Sequence, residues 1–250
     1  MQIICLKWGD KYDSAWVNRL YTMVEMNTQI PFTFVCLTED PTGILSEIKI
    51  EPLPLEYNLK TWWWKLTLFE KPRNDTCIFI DLDVVIQNDI THWLDLAEKN
   101  KLCVIKTYWK SHISLEDDHY LNSSVMIWNS DLSSIWLDFV KHKDLYMSKY
   151  RGIDSTLFYH HFNKLKWIPE GEVYSRLYGI DSTRYKLNDY ESDTTPEQMR
   201  EYFFFDPQYT MCIFNGYKRK KLLGPKGEKK YGVHYMGDES FELFKKLGYF

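Results

Sequence analysis

The chain has 250 residues, with 31 Lys plus Arg against 35 Asp plus Glu, and a formal net charge of -4. That length suits one large domain with a sizeable core, and with no basic run longer than Lys218-Arg-Lys-Lys221 there is no electrostatic footprint for wrapping nucleic acid. No apolar stretch approaches the roughly 18 residues of a membrane span, and the opening Met-Gln-Ile-Ile-Cys-Leu-Lys lacks the charged region of a secretory signal, so a cytoplasmic protein with no membrane span is expected.

Residues 2–8 form an apolar run suited to a first strand. Gly9-Asp10 ends it, and Trp16, Leu20, Met23, Val24 and Asn27 then recur at helical spacing until Pro31. Phe32 to Leu37 supplies a second strand, stopped by Thr38-Glu39-Asp40-Pro41. Residues 61–70 read as a helix, 76–86 as one buried strand, 90–99 as a helix, and Leu102–Ile105 and Ser123–Trp128 as further strands. A helix follows from about Leu132 to Leu145. Strands alternating with helices predict an α/β protein with a mixed, mostly parallel, Rossmann-like sheet covered on both faces.

After about residue 165 the periodicity weakens. Asn188 to Pro196 reads as surface loop, and Met211–Phe214 and Gly232–Tyr235 as late short strands. Neither an internal repeat nor a linker divides the chain, so 1–250 is expected to be a single domain with an irregular C-terminal part. Cys5, Cys36, Cys77, Cys103 and Cys212 each lie inside an apolar stretch and read as buried hydrophobes. Aromatics reach 17%; most are core, but clustered Trp and Tyr also suit a sugar, whose CH-rich faces stack on rings.

The chemistry concentrates in Thr76-Cys-Ile-Phe-Ile-Asp81-Leu82-Asp83-Val-Val-Ile86. Two carboxylates end an apolar strand, where packing gives them no role and where open α/β sheets place their ligand crevices. Strand side chains alternate with period two, so Asp81 and Asp83 are expected to project from one face. Hard divalent cations prefer such oxygens, and a cation there would neutralise a diphosphate as it leaves. His234, before Gly237 in a late strand, is a candidate further ligand, and a carboxylate and imidazole mixture suits Mn²⁺ at least as well as Mg²⁺. Structural alternatives stand beside each reading: a solvated strand end for the acids and a hydrogen-bonded strand histidine for His234. Asp238 and Glu239 suit the first turn of a last helix.

Further blocks accompany this motif: Lys7-Trp8-Gly9 with Tyr12, Val17 to Tyr21, Phe34 to Asp40, Trp64-Lys65-Leu66 with Phe69, Asn122-Ser123-Ser124-Val125, and Trp167 to Gly171. In this order, over about residues 3–216, they resemble a bacterial and viral GT-A glycosyltransferase family distantly similar to glycogenin and its relatives. The resemblance implies transfer of a sugar from a nucleoside-diphosphate sugar to a glycan, lipid-linked or protein hydroxyl. It also implies a nucleotide-binding half over 1–110 and a sugar- and acceptor-binding half over 111–250. By the same likeness Lys7, Trp8, Thr38 and Asp40 surround base and ribose, and Asp81-Leu82-Asp83 binds Mn²⁺ and the donor diphosphate. Lys65 meets the donor or its acid ligands, although an exposed helical lysine is the plain alternative. Asn122, Ser123 and Ser124 contact the donor sugar, with a turn role as the alternative. Asp154 lies beside the transferred sugar, and an N-cap role is compatible with that.

The family usually carries a late Phe-His-Gly followed by Lys. Here the text is Ile213-Phe214-Asn215-Gly216-Tyr217-Lys218. Asn215 keeps the spacing and His234 is the stronger ligand, so both stay open as the third protein ligand to the metal, with Lys218 expected at the phosphate. Two rival functions are compatible with the acids. A haloacid-dehalogenase-type phosphatase would use Asp81 as nucleophile and Asp83 as general acid, and a non-catalytic carbohydrate-binding protein would account for the aromatics. Glycogenin-like chemistry favours retention of anomeric configuration; sugar, acceptor and oligomeric state are not legible.

Overall fold

The computed structural model describes residues 1–73, 75–110, 120–176, 179, 205–214 and 242–250. Strand β1 (Gln2–Lys7) is apolar on both faces, with Ile3 and Cys5 buried on one and Ile4 and Leu6 on the other, as a central strand of a covered parallel sheet requires. Asp13 caps the next helix, α1 (Ser14–Met26), its carboxylate accepting from the Ala15 N–H at 3.0 Å. Val17, Leu20, Met23 and Val24 form the buried stripe of that helix. Strands β2 (Thr33–Thr38), β3 (Lys49–Pro52) and β4 (Cys77–Ile80) follow. Next come β5 (Val84–Ile86), β6 (Leu102–Lys106), β7 (Leu121–Trp128), helices α2 (Ser133–Lys149) and α3 (Ile153–His160), then β8 (Leu165–Trp167), β9 (Val173–Ser175) and β10 (Met211–Ile213).

Seven strands form the main sheet in the order β3-β2-β1-β4-β7-β6-β8, in which β7 alone runs against the rest. One face packs against α1 and a three-stranded sheet, β5-β10-β9, through residues such as Val85, Tyr174 and Cys212. The other is covered by α2, α3 and the 3₁₀ helix Thr61–Phe69. Each fully buried aliphatic or aromatic side chain on these faces contributes about 1.5–3 kcal/mol. The mixed, mostly parallel sheet with both faces covered is as expected, and all five cysteines are buried and free.

Several expectations need correction. The run 76–86 is not one strand. Its main-sheet pairing ends after Ile80, where the Asp81 N–H donates to the Ser124 carbonyl at 2.8 Å. The chain then turns through Leu82 and joins the small sheet as β5, antiparallel to β10. The helices expected at 61–70 and 90–99 are 3₁₀ helices, Thr61–Phe69 and Thr91–Leu96. In the first, every residue from Trp63 to Phe69 is buried, so no amphipathic stripe favours the wider α-helical turn. Helix α2 runs four residues beyond Leu145 and kinks at His142. Strands β3, β8 and β9, three or four residues each, are too short to show a period of two. The expected loop at Asn188–Pro196 and strand at Gly232–Tyr235 lie outside the described residues.

Candidate active site at the carboxyl edge of the sheet

Parallel strands β1, β2 and β4 end at Lys7, Thr38 and Ile80 on one edge of the sheet. A cleft open to solvent there is lined by Leu6, Trp8, Lys11, Tyr12, Trp62, Lys65, Asp81, Leu82 and Asp83. Asp81 and Asp83 both reach it, not by strand alternation but because the turn between β4 and β5 presents them together.

Each acid is held differently. The Lys65 ammonium lies 2.7 Å from Asp81 Oδ2 and also donates to the Ser123 carbonyl at 3.2 Å and Ser123 Oγ at 3.4 Å. The Tyr12 hydroxyl donates to Asp83 Oδ2 at 2.7 Å. Burial pushes the Asp81 carboxyl up to about 6; Lys65 opposes the rise and Asp83 adds to it. Burial, then the Asp83 charge, raises the Tyr12 phenol far above its ordinary value, so it stays a donor. Lys65, 7% exposed, is therefore a buried counter-ion rather than a surface helical lysine.

The network runs on into β7. Ser123 is buried, and its N–H donates to Asp154 Oδ1 at 3.1 Å. Asn122 Oδ1 accepts from the Ser124 N–H at 2.9 Å. These three residues thus lie inside a strand with one local Asx contact, and not in a free turn. Asp154 stands in the first turn of α3 behind Gly152, which occupies the cap position; its side chain faces Ser123 and the N-cap role does not apply. Lys65, Asp81, Ser123 and Asp154 form one connected set.

Lys7, Thr38 and Asp40 gather at the neighbouring corner. The buried Lys7 ammonium donates to the Asp40 carbonyl at 3.1 Å and lies 3.8 Å from its carboxylate. Thr38 Oγ1 donates to the same carbonyl and accepts from the Asp40 N–H, both at 3.1 Å. Hydrogen bonds from Thr42, with Lys7 nearby, hold the exposed Asp40 carboxyl below its ordinary value. Trp8 lines the acidic cleft itself. Asn215, Lys218 and His234 lie outside the described residues. Among the described residues no group of three or more His, Cys, Asp or Glu is assembled for a metal.

Tyr12 and Trp62 were not among the expected site residues. Tyr12 belongs to the Lys7-Trp8-Gly9 block, which was the available signal, but its partner Asp83 is 71 positions away. Trp62 is hidden in a Trp62-Trp63-Trp64 run whose other members are core.

No protein-family model matches the sequence, and no curated protein sequence matches it. Solved structures do. The galactosyltransferase LgtC, crystallised with donor and acceptor sugar analogues, superposes with a TM-score of 0.58 at 14% identity, covering 97% of this chain and 96% of its own. The glycosyltransferase GlyE of Streptococcus pneumoniae gives 0.56 at 12% identity over 98% of this chain and 64% of its own. Mouse xyloside xylosyltransferase 1 gives 0.51 at 11%, over 86% and 97%. The likeness spans nearly the whole chain and includes the mostly parallel seven-stranded sheet, so the protein has the GT-A glycosyltransferase fold.

Proposed function

We propose that the protein is a metal-dependent glycosyltransferase that moves a sugar from a nucleoside-diphosphate sugar, a UDP-sugar first among candidates, to a hydroxyl acceptor, with retention favoured. The observation that carries this reading is the pairing of Asp81 and Asp83 in one cleft at the carboxyl edge of a sheet of this fold. The donor set suits a hard divalent cation: two carboxylates face the cleft, and the oxygens engaged by Lys65 and Tyr12 are the Oδ2 atoms. Asp81 and Asp83 would hold Mn²⁺ or Mg²⁺, with Asn215 or His234 as the further protein ligand. The metal would supply charge neutralisation for the departing diphosphate.

The chain's own residues then divide the work. Lys7, Thr38 and Asp40, with Trp8, bind base and ribose at the tips of β1 and β2. Lys65 keeps Asp81 in place and brings positive charge beside it, and Lys218 adds to the stabilisation of the leaving group. Asp154, Asn122, Ser123 and Ser124 orient the transferred sugar, a task to which their acceptors and donors are suited. The phosphatase alternative gains nothing from this fold, in which three strands precede β4, the strand that leads to Asp81.

The test is a melting-temperature screen over nucleotide sugars with and without Mn²⁺. A donor at 100 times its dissociation constant stabilises by about 2.7 kcal/mol. A shift for one nucleoside-diphosphate sugar that needs Mn²⁺ and disappears in Asp83→Asn is expected; no shift for any of them, with phosphate release from simple phosphomonoesters, overturns the reading.

A further inference from the structure

Trp62 is 57% exposed, while its neighbours Trp63 and Trp64 are 4% and 7% exposed. A tryptophan left this open at the wall of a polar cleft is unusual. It is also held there. The residue before it, Thr61, is β-branched and adopts φ +52°, a left-handed conformation that only surrounding structure sustains. On its far side stands Gly152, extended at φ 168° and so chosen for space rather than for backbone freedom. A Cβ at Gly152 would lie 3.3 Å from Trp62 Cβ and 3.8 Å from Cε3. Gly152 leads directly into α3, where Asp154 holds the Ser123 N–H.

The sheet order separates the roles along the cleft. The nucleoside corner, with Lys7, Thr38 and Asp40, lies at β1 and β2, the carboxylate pair follows β4, and Ser123 with Asp154 belongs to β7. Trp62 shares the cleft with Trp8, Tyr12, Lys65 and the two acids, and its contact with Gly152 sets it next to the start of α3, where Asp154 stands. Its indole face is open to whatever approaches the transferred sugar. An aromatic face beside hydroxyl-binding groups matches the apolar CH face of a pyranose.

We propose that Trp62 is a specificity-determining residue whose indole stacks on a sugar ring of the acceptor, and hence that the acceptor is a carbohydrate rather than a peptide or a lipid alcohol. This rests on the transferase reading above. The test uses the full-length protein with Mn²⁺ and the donor found by the melting screen, and offers lactose, cellobiose, maltose, a serine-containing octapeptide and octanol as acceptors. Transfer onto a disaccharide is expected. With that disaccharide, Trp62→Ala should raise the acceptor KM roughly 10–100-fold with a less than twofold change in donor KM, and Trp62→Phe should recover most of the loss. Gly152→Ala, which crowds Trp62, should raise the acceptor KM in the same direction by a smaller factor. Transfer only onto peptide or octanol overturns the proposal. So does an acceptor KM unmoved by Trp62→Ala, or a donor KM that rises as much as the acceptor's. Failure of the transferase reading looks different: no nucleotide sugar would bind in the melting screen.

Discussion

Asp81 and Glu172 are two carboxylates withdrawn from water whose surroundings drive them in opposite directions. Burial raises both. At Glu172 that rise is outweighed by hydrogen bonds from Thr210 Oγ1 at 2.6 Å, Trp93 Nε1 at 2.8 Å and His92 Nε2 at 3.0 Å, which leave its carboxyl below the ordinary range. At Asp81 the Lys65 ammonium is opposed by burial and by the like charge of Asp83, and the carboxyl rises to about 6. Glu172 fastens the loop before β9 to the 3₁₀ helix Thr91–Leu96 and to the residue before β10, a structural joint with its donors supplied. The cleft instead places two negative charges together and leaves them facing open space. Placing like charges together costs stability, and this is the arrangement expected where an incoming cation and anion are to complete the set.

That contrast can be broken first at Asp83. Asp83→Asn should lower glycosyl transfer by on the order of 10³-fold, while the melting temperature stays close to wild type, because the amide oxygen still accepts from Tyr12. A transfer rate within tenfold of wild type would remove the cleft's acids from the chemistry.

Lys65→Met tests the stability side of the same cluster. Removing one partner of a buried pair leaves the other uncompensated, at a cost of about 3 kcal/mol by denaturant unfolding at neutral pH. The cost should shrink on the acid side of about pH 6, where Asp81 takes up a proton and no longer needs its counter-ion.

Glu172→Gln sharpens the contrast with a smaller loss, about 1–2 kcal/mol, which also fades at acid pH but only at lower pH than the Lys65→Met loss. A carboxyl whose folded value lies below its unfolded one contributes stability that is complete above about pH 4.5. That contribution disappears as pH falls through the folded value. Wild type and Glu172→Gln should therefore converge in stability at acid pH, and transfer activity at neutral pH should change little at temperatures where both are folded.

The smallest expected effect is at the rim. Asp40 is exposed and its carboxylate is 3.8 Å from Lys7, so Asp40→Ala should leave the melting temperature unchanged. If Asp40 meets the ribose, the nucleotide KM rises by a few fold; an unchanged KM would confine the nucleoside contacts to Lys7, Thr38 and Trp8.

Much of the site's inventory was legible before the fold was seen. Asp81 and Asp83 stand out because carboxylates at the end of Cys77–Ile80 have no packing role, and Lys65, Ser123 and Asp154 belong to recognisable blocks. Their geometry was less so. The expectation that alternation aligns the two acids is wrong, since the ladder ends at Ile80 and a turn does the aligning. Lys65 reads equally well as a solvated helical residue until the 3₁₀ helix is seen buried from Trp63 to Phe69. Asp154 reads as a cap until Gly152 is found in that position.

The amino-acid sequence by itself determined the alternation of strands and helices, the buried β1 and β4, the amphipathic α1 and the placing of acids at a strand end, because each is written in the spacing of neighbouring side chains. Only the tertiary structure decided that Tyr12 meets Asp83 across 71 positions, that Asp154 grips Ser123 across 31, and that Trp62 leans on Gly152. Those partners are chosen by where strands and helices cross when the core closes, and local periodicity carries no record of that choice.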